Sequence, residues 1–395
     1  MATNKTDKVL NVPTLRFPSF TEEWQKHSLD KLGTTIIGLT YSPSDVVKEN
    51  GTIVFRSSNI QNGEIDYSDI VRVGKEIKPV LRTKESDILI CARNGSSRLI
   101  GKNAILKKSD EGQTFGAFMM IYRSKYNKFI RQLLNTKRYS MQVAQNIGAR
   151  INQITTSDLN NFIFNFPTNP HEQKKIADFL SLLDERIALQ SKLIEDLKIL
   201  KSAIVERLYG QYSSRIRIGT IIKPVSIRNR DGGELEVMSV SNKYGFIAQL
   251  EQFEERLVAS EDTSNYKVIT PGIFAYNPAR INVGSIAQYK GDRPCIVSPM
   301  YICFECGEQV IGGYLEHFFS TKYFHKEMEK RLEGSVRLCL SFEALCNIPI
   351  SLPTIEQQQK YAHVVGIISE QISTETGILQ AYQKQKLYLL SAMFI

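Results

Sequence analysis

Two long stretches of the chain carry apolar residues at helical spacing. Residues 172–209 contain neither proline nor glycine, and their apolar positions recur mostly every three, four or seven residues. This period predicts one long amphipathic helix with a seam close to a heptad repeat. The apolar positions of this first stretch are Ile176, Phe179, Leu183, Ile187, Ile194, Leu197, Ile204 and Leu208.

Residues 356–395 repeat this character near the end of the chain. Gly366 and Gly377 weaken the second helix slightly, because glycine is a poor helix former. The apolar positions here are Val364, Ile368, Ile372, Leu379, Leu387 and Leu390. A single exposed helix would leave its apolar stripe in water, so we predict that the two helices pack as an antiparallel pair. The alternative is two separate core helices, each covering its own domain.

The remaining segments have the pattern of short strands and short helices. Apolar runs bounded by polar residues at 52–56, 87–92 and 117–122 predict strands. Residues 127–145, and 311–332 in the second half, predict helices. Because strands and helices do not alternate regularly, the predicted fold class is α+β.

One passage of the chain occurs twice. Phe164-Asn165-Phe166-Pro167-Thr168 is followed by Glu172-Gln173, and Ile350-Ser351-Leu352-Pro353-Thr354 is followed by Glu356-Gln357. The Glu-Gln pairs lie 184 residues apart. Weaker matches join 87–94 to 272–280 and 151–159 to 336–345.

A repeat of this length indicates duplicated domains and not a solenoid of short units. We therefore predict two similar globular domains, each followed by a long helix. The predicted boundaries are residues 1–169 for the first domain, 170–210 for the first helix, 211–353 for the second domain and 354–395 for the second helix.

The composition favours an anionic partner. The net charge is +9 and the isoelectric point is about 9.1, a balance that nucleic-acid-binding proteins often show. No apolar run reaches the roughly 18–20 residues of a membrane span, and residues 1–15 lack the apolar core of a signal peptide. We expect a cytoplasmic protein with six reduced cysteines.

The sequence offers little for catalysis or for cofactor binding. It contains no glycine-rich phosphate loop and no nucleophile elbow. Asn277-Pro278 is only faintly similar to the pocket motif of adenine methyltransferases. Cys303 and Cys306 form a lone Cys-x-x-Cys, whereas zinc needs further ligands at suitable spacing. We expect no catalytic residue, no cofactor and no metal.

Side chains suited to DNA cluster in the presumed loops. Arg recognises guanine and Asn or Gln recognises adenine, while Lys, Arg and Ser hold phosphates. The same residue types also serve ordinary turns. The candidates are Arg56, Ser57, Asn59, Arg93, Asn94, Ser96, Arg98, Lys102, Arg150, Asn152 and Gln153 in the first half, and Ser241, Asn242, Lys243, Asn277, Arg280, Asn282 and Arg337 in the second.

The layout resembles the specificity subunit of type I restriction–modification systems. The resemblance rests on Leu15-Arg16-Phe17-Pro18-Ser19-Phe20 with Trp24, on Asp87-Ile88-Leu89 followed by Arg93-Asn94-Gly95 and Ile100-Gly101, and on the two Pro…Glu-Gln passages. The second half departs from the usual Asp-Ile-Leu form with Gly272-Ile273-Phe274.

This resemblance implies separate roles for the subunits of a complex. Each half would carry a target recognition domain that reads one part of a split double-stranded DNA site, with the helix pair as a coiled-coil spacer. Two methyltransferase subunits would dock around the spacer and bring S-adenosylmethionine, and restriction subunits would join them. The chain itself would be a non-catalytic member of the complex.

Two other classes of function stay open. A stand-alone DNA methyltransferase or nuclease would bind its cofactor or cut DNA in isolation. A scaffold that reads no DNA, or an inactive orphan subunit, would assemble partners without retaining a particular DNA sequence.

Overall fold

The computed structural model describes residues 11–147, 152–210, 215–230, 232–248, 262–335 and 337–395. The chain divides into two compact units. One comprises the chain up to Gln190 together with Ile378–Ile395, and the other comprises Ser191–Gly377. The first unit thus combines the start and the end of the sequence.

The first half contains twelve short strands among its described residues. They are β1 (Gln25–Ser28), β2 (Thr34–Ile37), β3 (Val46–Val47), β4 (Thr52–Phe55), β5 (Ile60–Gln61), β6 (Glu64–Ile65), β7 (Val71–Val73), β8 (Ile88–Cys91), β9 (Asn103–Ile105), β10 (Thr114–Phe115), β11 (Met119–Arg123) and β12 (Ile163–Phe166).

The described part of the second half contains ten strands. They are β13 (Ile216–Arg217), β14 (Ile222–Val225), β15 (Val237–Ser241), β16 (Gly245–Ala248), β17 (Lys267–Ile269), β18 (Phe274–Tyr276), β19 (Ile286–Gln288), β20 (Cys295–Val297), β21 (Ile302–Cys306) and β22 (Pro349–Ile350).

Six short helices and two long ones complete the described fold. They are α1 (Asn127–Leu133), α2 (Lys137–Asn146), α3 (Thr156–Asn161), α4 (Pro170–Gly210), α5 (Gly312–Phe318), α6 (Lys322–Glu329), α7 (Phe342–Cys346) and α8 (Ile355–Ala392). Among these described helices, none combines the length and apolar character needed to cross a bilayer.

The two halves share one framework. A four-stranded antiparallel sheet has the order β2-β11-β8-β9 in the first half and β14-β21-β18-β19 in the second. A two-stranded ribbon, β1-β12 or β13-β22, precedes each long helix. Three short helices follow the framework sheet in each half. The structure confirms the α+β class and the duplication.

The framework fixes the register of the repeat and corrects one match made from sequence. The Gln173 side chain donates to the carbonyl oxygen of Pro167 (2.8 Å), and the Gln358 side chain donates to that of Pro353 (2.9 Å). Gln358, and not Gln357, therefore corresponds to Gln173. The sequence match was wrong by one residue because three consecutive glutamines fill positions 357–359.

The same one-residue correction applies to Gly272. The Ser86 backbone N–H donates to Leu106 O, and that of Gly272 donates to Tyr289 O (both 2.9 Å). Both residues have positive φ, 66° at Ser86 and 95° at Gly272. Gly272 thus corresponds to Ser86 and not to Asp87, at a turn where glycine avoids the strain of the left-handed region.

Asp87 itself holds the framework of the first half together. Its buried carboxylate accepts two hydrogen bonds from the Arg123 guanidinium, at 2.8 and 2.6 Å. The bond to this carboxylate raises the pKa of Arg123. A bidentate pair of this kind fixes the orientation of both side chains, so the Asp-Ile-Leu passage has a structural role in this chain.

The second sheet is where the halves differ. It has the order β10-β4-β7-β3 in the first half and β16-β15-β20-β17 in the second. Both versions keep one parallel pair, β4 with β10 and β15 with β20, but the neighbouring strands are arranged differently. The duplication therefore preserves the framework sheet more closely than the second sheet.

Each helical stretch that follows the framework sheet is broken at a threonine. The hydroxyl of Thr136 accepts a hydrogen bond from Tyr139 N, and the hydroxyl of Thr321 accepts one from Phe324 N. These are N-caps, which start a new helix by satisfying an otherwise unpaired backbone N–H. The stretches predicted at 127–145 and 311–332 are each two helices for this reason.

The long helices run antiparallel in the first unit. Lys386 of α8 forms an ion pair with Asp184 of α4, and Arg186 of α4 lies over the ring of Tyr382. Ile176 shares a buried cluster with Leu389. In the second unit, Val205 of α4 and Val365 of α8 share another core. Each helix thus contributes to both domain cores, whereas the alternative interpretation gave each helix a core of its own.

The predicted helix seam is only partly correct. Ile176 and Ile194 are buried, but Phe179, Val364 and Leu387 are 40%, 37% and 68% exposed. A straight helix drifts from a strict heptad repeat, so the buried stripe moves to neighbouring positions. The half-buried seam candidates are Leu183, Ile187, Leu197, Ile204, Ile368, Ile372 and Leu379.

Two sequence passages meet where α4 begins. The Arg16 guanidinium donates to both carboxylate oxygens of Glu172, at 2.6 and 2.8 Å. These hydrogen bonds raise the pKa of Arg16. The Leu15 N–H donates to the carbonyl oxygen of Ala392 (2.9 Å), and the Asn165 side chain donates to that of Ile395 (3.0 Å). Residues 15–16, the start of α4 and the end of α8 therefore belong to one structural unit.

Candidate nucleic-acid interface

Hydrogen bonds join three loops in the first half that are distant in sequence. The Asn94 side chain donates to Ser57 Oγ (3.0 Å), and the Asn94 backbone N–H donates to the Asn152 carbonyl oxygen (3.2 Å). The Asn152 side chain donates in turn to the carbonyl oxygen of Gly95 (2.9 Å). Three predicted DNA-reading segments therefore meet, and we call the loops at 57–58, 93–99, 116–118 and 152–153 the first loop cluster.

Arg93 is the prominent cation of the first loop cluster. Its side chain is exposed, and its backbone N–H donates to Phe118 O (3.0 Å). The guanidinium carbon lies 5.0 Å from the centre of the Phe118 ring. A short bridge also pairs the backbone of Arg93 with Gln153. This arrangement holds the stem of Arg93 against an aromatic ring while its charge faces solvent.

The same cluster carries a second basic region. Ser96 and Arg98 are exposed, and Lys102 is half-buried. Arg98 and Lys102 line a pocket together with Arg131 and Lys386, all within the first unit. Desolvation lowers the pKa of the buried Arg131 guanidinium, and Asn135 accepts a hydrogen bond from it. Sequence inspection did not single out Arg131 or Lys386, because both lie on helices remote from the loops.

Two candidates of the first half have structural partners. Asn59 is fully buried and donates to the carbonyl oxygens of Asp66 (3.0 Å) and Asp69 (2.8 Å). Its amide oxygen accepts from the Arg56 backbone. The Arg56 side chain forms a 2.9 Å ion pair with Asp69. Asn59 cannot reach a base, and that prediction was wrong because the residue type that suits adenine also suits a tight turn. Arg150 lies outside the described residues.

In the second half, the predicted residues meet at a cavity. Ser241, Asn242, Asn277 and Arg280 all line it, together with Met300. The Asn277 side-chain oxygen accepts from Ala279 N (3.1 Å), and its amide nitrogen lies 3.7 Å from Met300 Sδ. Chain segments from β15, from the loop after β18 and from the turn before β21 line this cavity, which we call the second loop cluster.

The remaining candidates of the second half are exposed. Lys243 places its ammonium 4.7 Å from the ring centre of Tyr244, and Asn282 follows Arg280 in a short 3-10 turn. Arg337 lies in a different loop, whose Leu340 N–H donates to Pro278 O (3.1 Å). That bond connects the Arg337 loop to the second loop cluster.

The cysteines show no metal-site geometry. Cys303 and Cys306 both lie on β21, and burial raises the pKa of each thiol to about 11. Within the described ranges, no three histidine, cysteine or acidic side chains come together as a metal site.

A family model describes part of this arrangement. Residues 21–198, which include the first loop cluster and much of α4, match the type I restriction modification DNA specificity domain. This part of the chain is therefore similar to the DNA specificity domain of type I restriction–modification systems. The sequence resemblance to this family is thereby confirmed.

Curated members of the specificity family resemble parts of the chain. It is 30% identical over 171 residues to the EcoKI specificity subunit of Escherichia coli strain K12, a match that covers 41% of this chain and 36% of that protein. It is 28% identical over 190 residues to the StySPI specificity subunit of Salmonella potsdam, covering 46% and 40%. The matches span less than half the length of either relative.

Solved structures from type I restriction–modification systems match nearly the whole chain in fold. The type I restriction–modification S subunit from M. genitalium superposes with a TM-score of 0.63 at 18% identity, covering 97% of this chain and 99% of that one. A chain from a type I R-M system solved to explain complex assembly and conformational transition gives 0.50 at 15%, covering 93% and 96%. The fold of this chain, with its two units and two long helices, is therefore similar to the fold of these solved chains.

Proposed function

We propose that this chain reads a two-part DNA site and directs methyltransferase and restriction subunits to it. One observation carries the proposal. The same framework sheet occurs twice in the chain, and each copy is joined to a differently built second sheet and a cluster of polar and basic loops. A duplicated framework with unlike loop clusters suits two readers of two unlike half-sites.

The chemistry of the clusters supports base reading. Arg93 and Arg280 are exposed and lie in the loops that follow corresponding framework strands, β8 and β18. Arginine can donate two hydrogen bonds to guanine in the major groove, and each such pair contributes about 1–3 kcal/mol of discrimination. Arg98 and Lys243 add charge that can hold phosphates, which supply most of the non-specific affinity.

The long helices supply surfaces for partner subunits. On α4, Leu182, Leu189 and Ile199 are 65%, 69% and 62% exposed. Leu387 and Tyr388 of α8 are 68% and 64% exposed. Large apolar side chains exposed along a helix favour burial against another protein. Methyltransferase subunits would carry the catalytic groups and S-adenosylmethionine, so this chain would remain non-catalytic.

A domain exchange tests the proposal. The contacts of α8 set the boundaries of the exchange. Residues 1–165 are replaced together with 378–395, because Asn165 bonds to Ile395 within the first unit. The donor is another specificity subunit, and methylated sites are mapped in cells that also carry the methyltransferase subunit. We expect one part of the split motif to change and the other to persist.

Two other results would contradict the proposed function. A change in both parts would contradict two independent readers. If the complex assembles and no motif is methylated with either chain, the scaffold function replaces the proposed one.

A further inference from the structure

An exposed apolar side chain occupies the same framework position in both halves. Phe118 is 57% exposed and Met300 is 61% exposed. Phe118 lies two residues before Met120, which pairs with Ile90 of β8. Met300 lies two residues before Ile302, which pairs with Tyr276 of β18.

These pairings make Phe118 and Met300 equivalent. Ile90 and Tyr276 occupy matching positions, as the hydrogen bonds two residues further along show. The carbonyl oxygens of Ala92 and Pro278 each accept a backbone hydrogen bond, and in both cases the donor directly precedes the N-cap of a short helix. Both apolar residues sit in the turn that leads from a strand of the second sheet into the long framework strand. The sequences of the two turns, GAF and SPM, conceal this equivalence.

Each of the two side chains contacts residues of the loop cluster in its own half. The Phe118 ring lies against the Arg93 guanidinium at 5.0 Å. Met300 Sδ lies 3.7 Å from the Asn277 amide nitrogen, and Met300 lines the cavity with Arg280. Exposure alone would not distinguish these residues, since Ile37 and Val80 are 55% and 54% exposed as well. The shared position and the contacts with loop-cluster residues do.

We propose that Phe118 and Met300 are matched apolar contacts to DNA bases, one in each half-site. This inference rests on the proposed function. Neither side chain has a strong hydrogen-bond donor or acceptor, so neither can hold a phosphate. The apolar features that DNA offers to such residues are the C5-methyl group of thymine and the faces of a partly unstacked base step. Arg93 and Asn277 beside them would supply the hydrogen bonds.

The test measures binding of the assembled complex with methyltransferase subunits to two duplexes. One duplex carries the methylated split motif of the wild-type complex, and the other has both half-sites scrambled. Dissociation constants are measured over a range of salt concentrations for Phe118→Ala and Met300→Ala. Val80→Ala and Ile227→Ala are matched controls, because both residues are exposed and apolar but lie outside the loop clusters.

We expect each alanine variant to bind the specific duplex about tenfold more weakly, which corresponds to about 1.4 kcal/mol. The salt dependence should not change, because no phosphate contact is lost. The two alanine variants should bind the scrambled duplex as tightly as the wild type does. The two control variants should bind both duplexes as tightly as the wild type does. Phe118→Leu and Met300→Leu should retain most of the affinity, which separates an apolar contact from a folding defect.

A further arm identifies the base feature. If the thymine methyl group is the contact, replacing single thymines by deoxyuridine in one half-site should weaken binding of the wild type as much as the alanine substitution does. The same replacement should not weaken binding of the matching alanine variant any further. If no such replacement has an effect, an increase in 2-aminopurine fluorescence on binding, lost in the alanine variant, would show that the side chain unstacks a base step.

Other outcomes overturn the proposal. Unchanged specific binding by both alanine variants, with the wild type preferring its motif, would refute the apolar contacts and leave the proposed function intact. An equal loss on both duplexes with a weaker salt dependence would also refute them. A wild-type complex that shows no preference between the duplexes would refute the proposed function and this inference together.

Discussion

Two asparagines of the first half show how the surroundings of a residue decide its role. Asn59 is fully buried and bonds to two backbone carbonyl oxygens, whereas Asn94 is partly exposed and joins two loops. Asn59 follows Ser58 and Asn94 follows Arg93, each in a polar passage, so both were predicted to contact DNA. Side-chain burial depends on contacts with residues such as Asp66 and Asp69, which a linear reading cannot supply.

Substitution of Arg93 and Asn59 should separate binding from stability. Arg93→Ala removes an exposed cation, so we expect weaker DNA binding of the complex and an almost unchanged melting temperature. Asn59→Ala leaves two buried backbone oxygens without a donor, which should lower the free energy of unfolding by about 1–3 kcal/mol. Calorimetry and salt-dependent DNA titration measure the two effects.

The salt series also assigns the contact that Arg93 makes. Relaxed recognition of one base with an unchanged salt slope would mark a base contact, and a uniform loss with a shallower slope would mark a phosphate contact. Arg93→Ala with wild-type affinity and specificity would contradict any role in reading. Exposed Lys75→Ala, away from the first loop cluster, serves as the charge-matched control.

Among the elements, the long helices were the easiest to predict. Their apolar period extends over some ten turns, and residues 172–209 contain no helix breaker. The exact faces were harder, because the stripe turns towards a domain core near each helix end and buries Leu180 and Val365 in place of Phe179 and Val364.

The second sheets were not predictable in the same way. Several of their strands have only two or three residues, as β3 and β10 do, and so carry no usable alternation of apolar and polar positions. Their pairing also depends on long-range contacts, such as the parallel pair of β4 with β10. The one-residue error at Gln358 has a similar origin, since composition cannot distinguish neighbouring glutamines.

Lengthening both long helices tests the spacer role. One heptad is inserted after Glu195 in α4 and another after Glu375 in α8, which preserves the antiparallel pair. Seven helical residues add about 10 Å, close to three base pairs of DNA. We therefore expect the unspecified gap in the methylated motif to grow by about three base pairs while both half-sites stay the same.

An insertion in α4 alone is the control for this prediction. It mismatches the pair, so we expect lower stability and no defined new gap. A motif with the original gap after the paired insertion, in a complex that assembles normally, would contradict the spacer role of the helices.

At the scale of the whole molecule, the end of the chain completes the fold of its beginning. Phe394 is buried, with its ring 6.1 Å from that of Trp24 and 5.5 Å from that of Phe129. The Leu15 N–H bonds to Ala392 in the same unit. The first domain is thus discontinuous in sequence, a feature that the contiguous boundaries drawn from sequence did not include.

Truncating Phe394 should therefore destabilise the first unit. We expect Phe394→Ala to lower its free energy of unfolding by about 3–5 kcal/mol, the usual cost of removing a buried aromatic ring. Hydrogen exchange of the framework strands β8 and β11 would report the loss. Leu387→Ala, at a position 68% exposed on the same helix, should change it by less than about 0.5 kcal/mol. Equal effects of the two substitutions would contradict this account.

The most direct test of the central claim is the methylome of cells that carry this chain with a matching methyltransferase subunit, compared with cells that carry the methyltransferase alone. Two unlike readers on one chain predict a new split motif, methylated on both strands and absent from the control. An assembled complex that methylates no new motif, or one that methylates a single undivided motif, would contradict the claim.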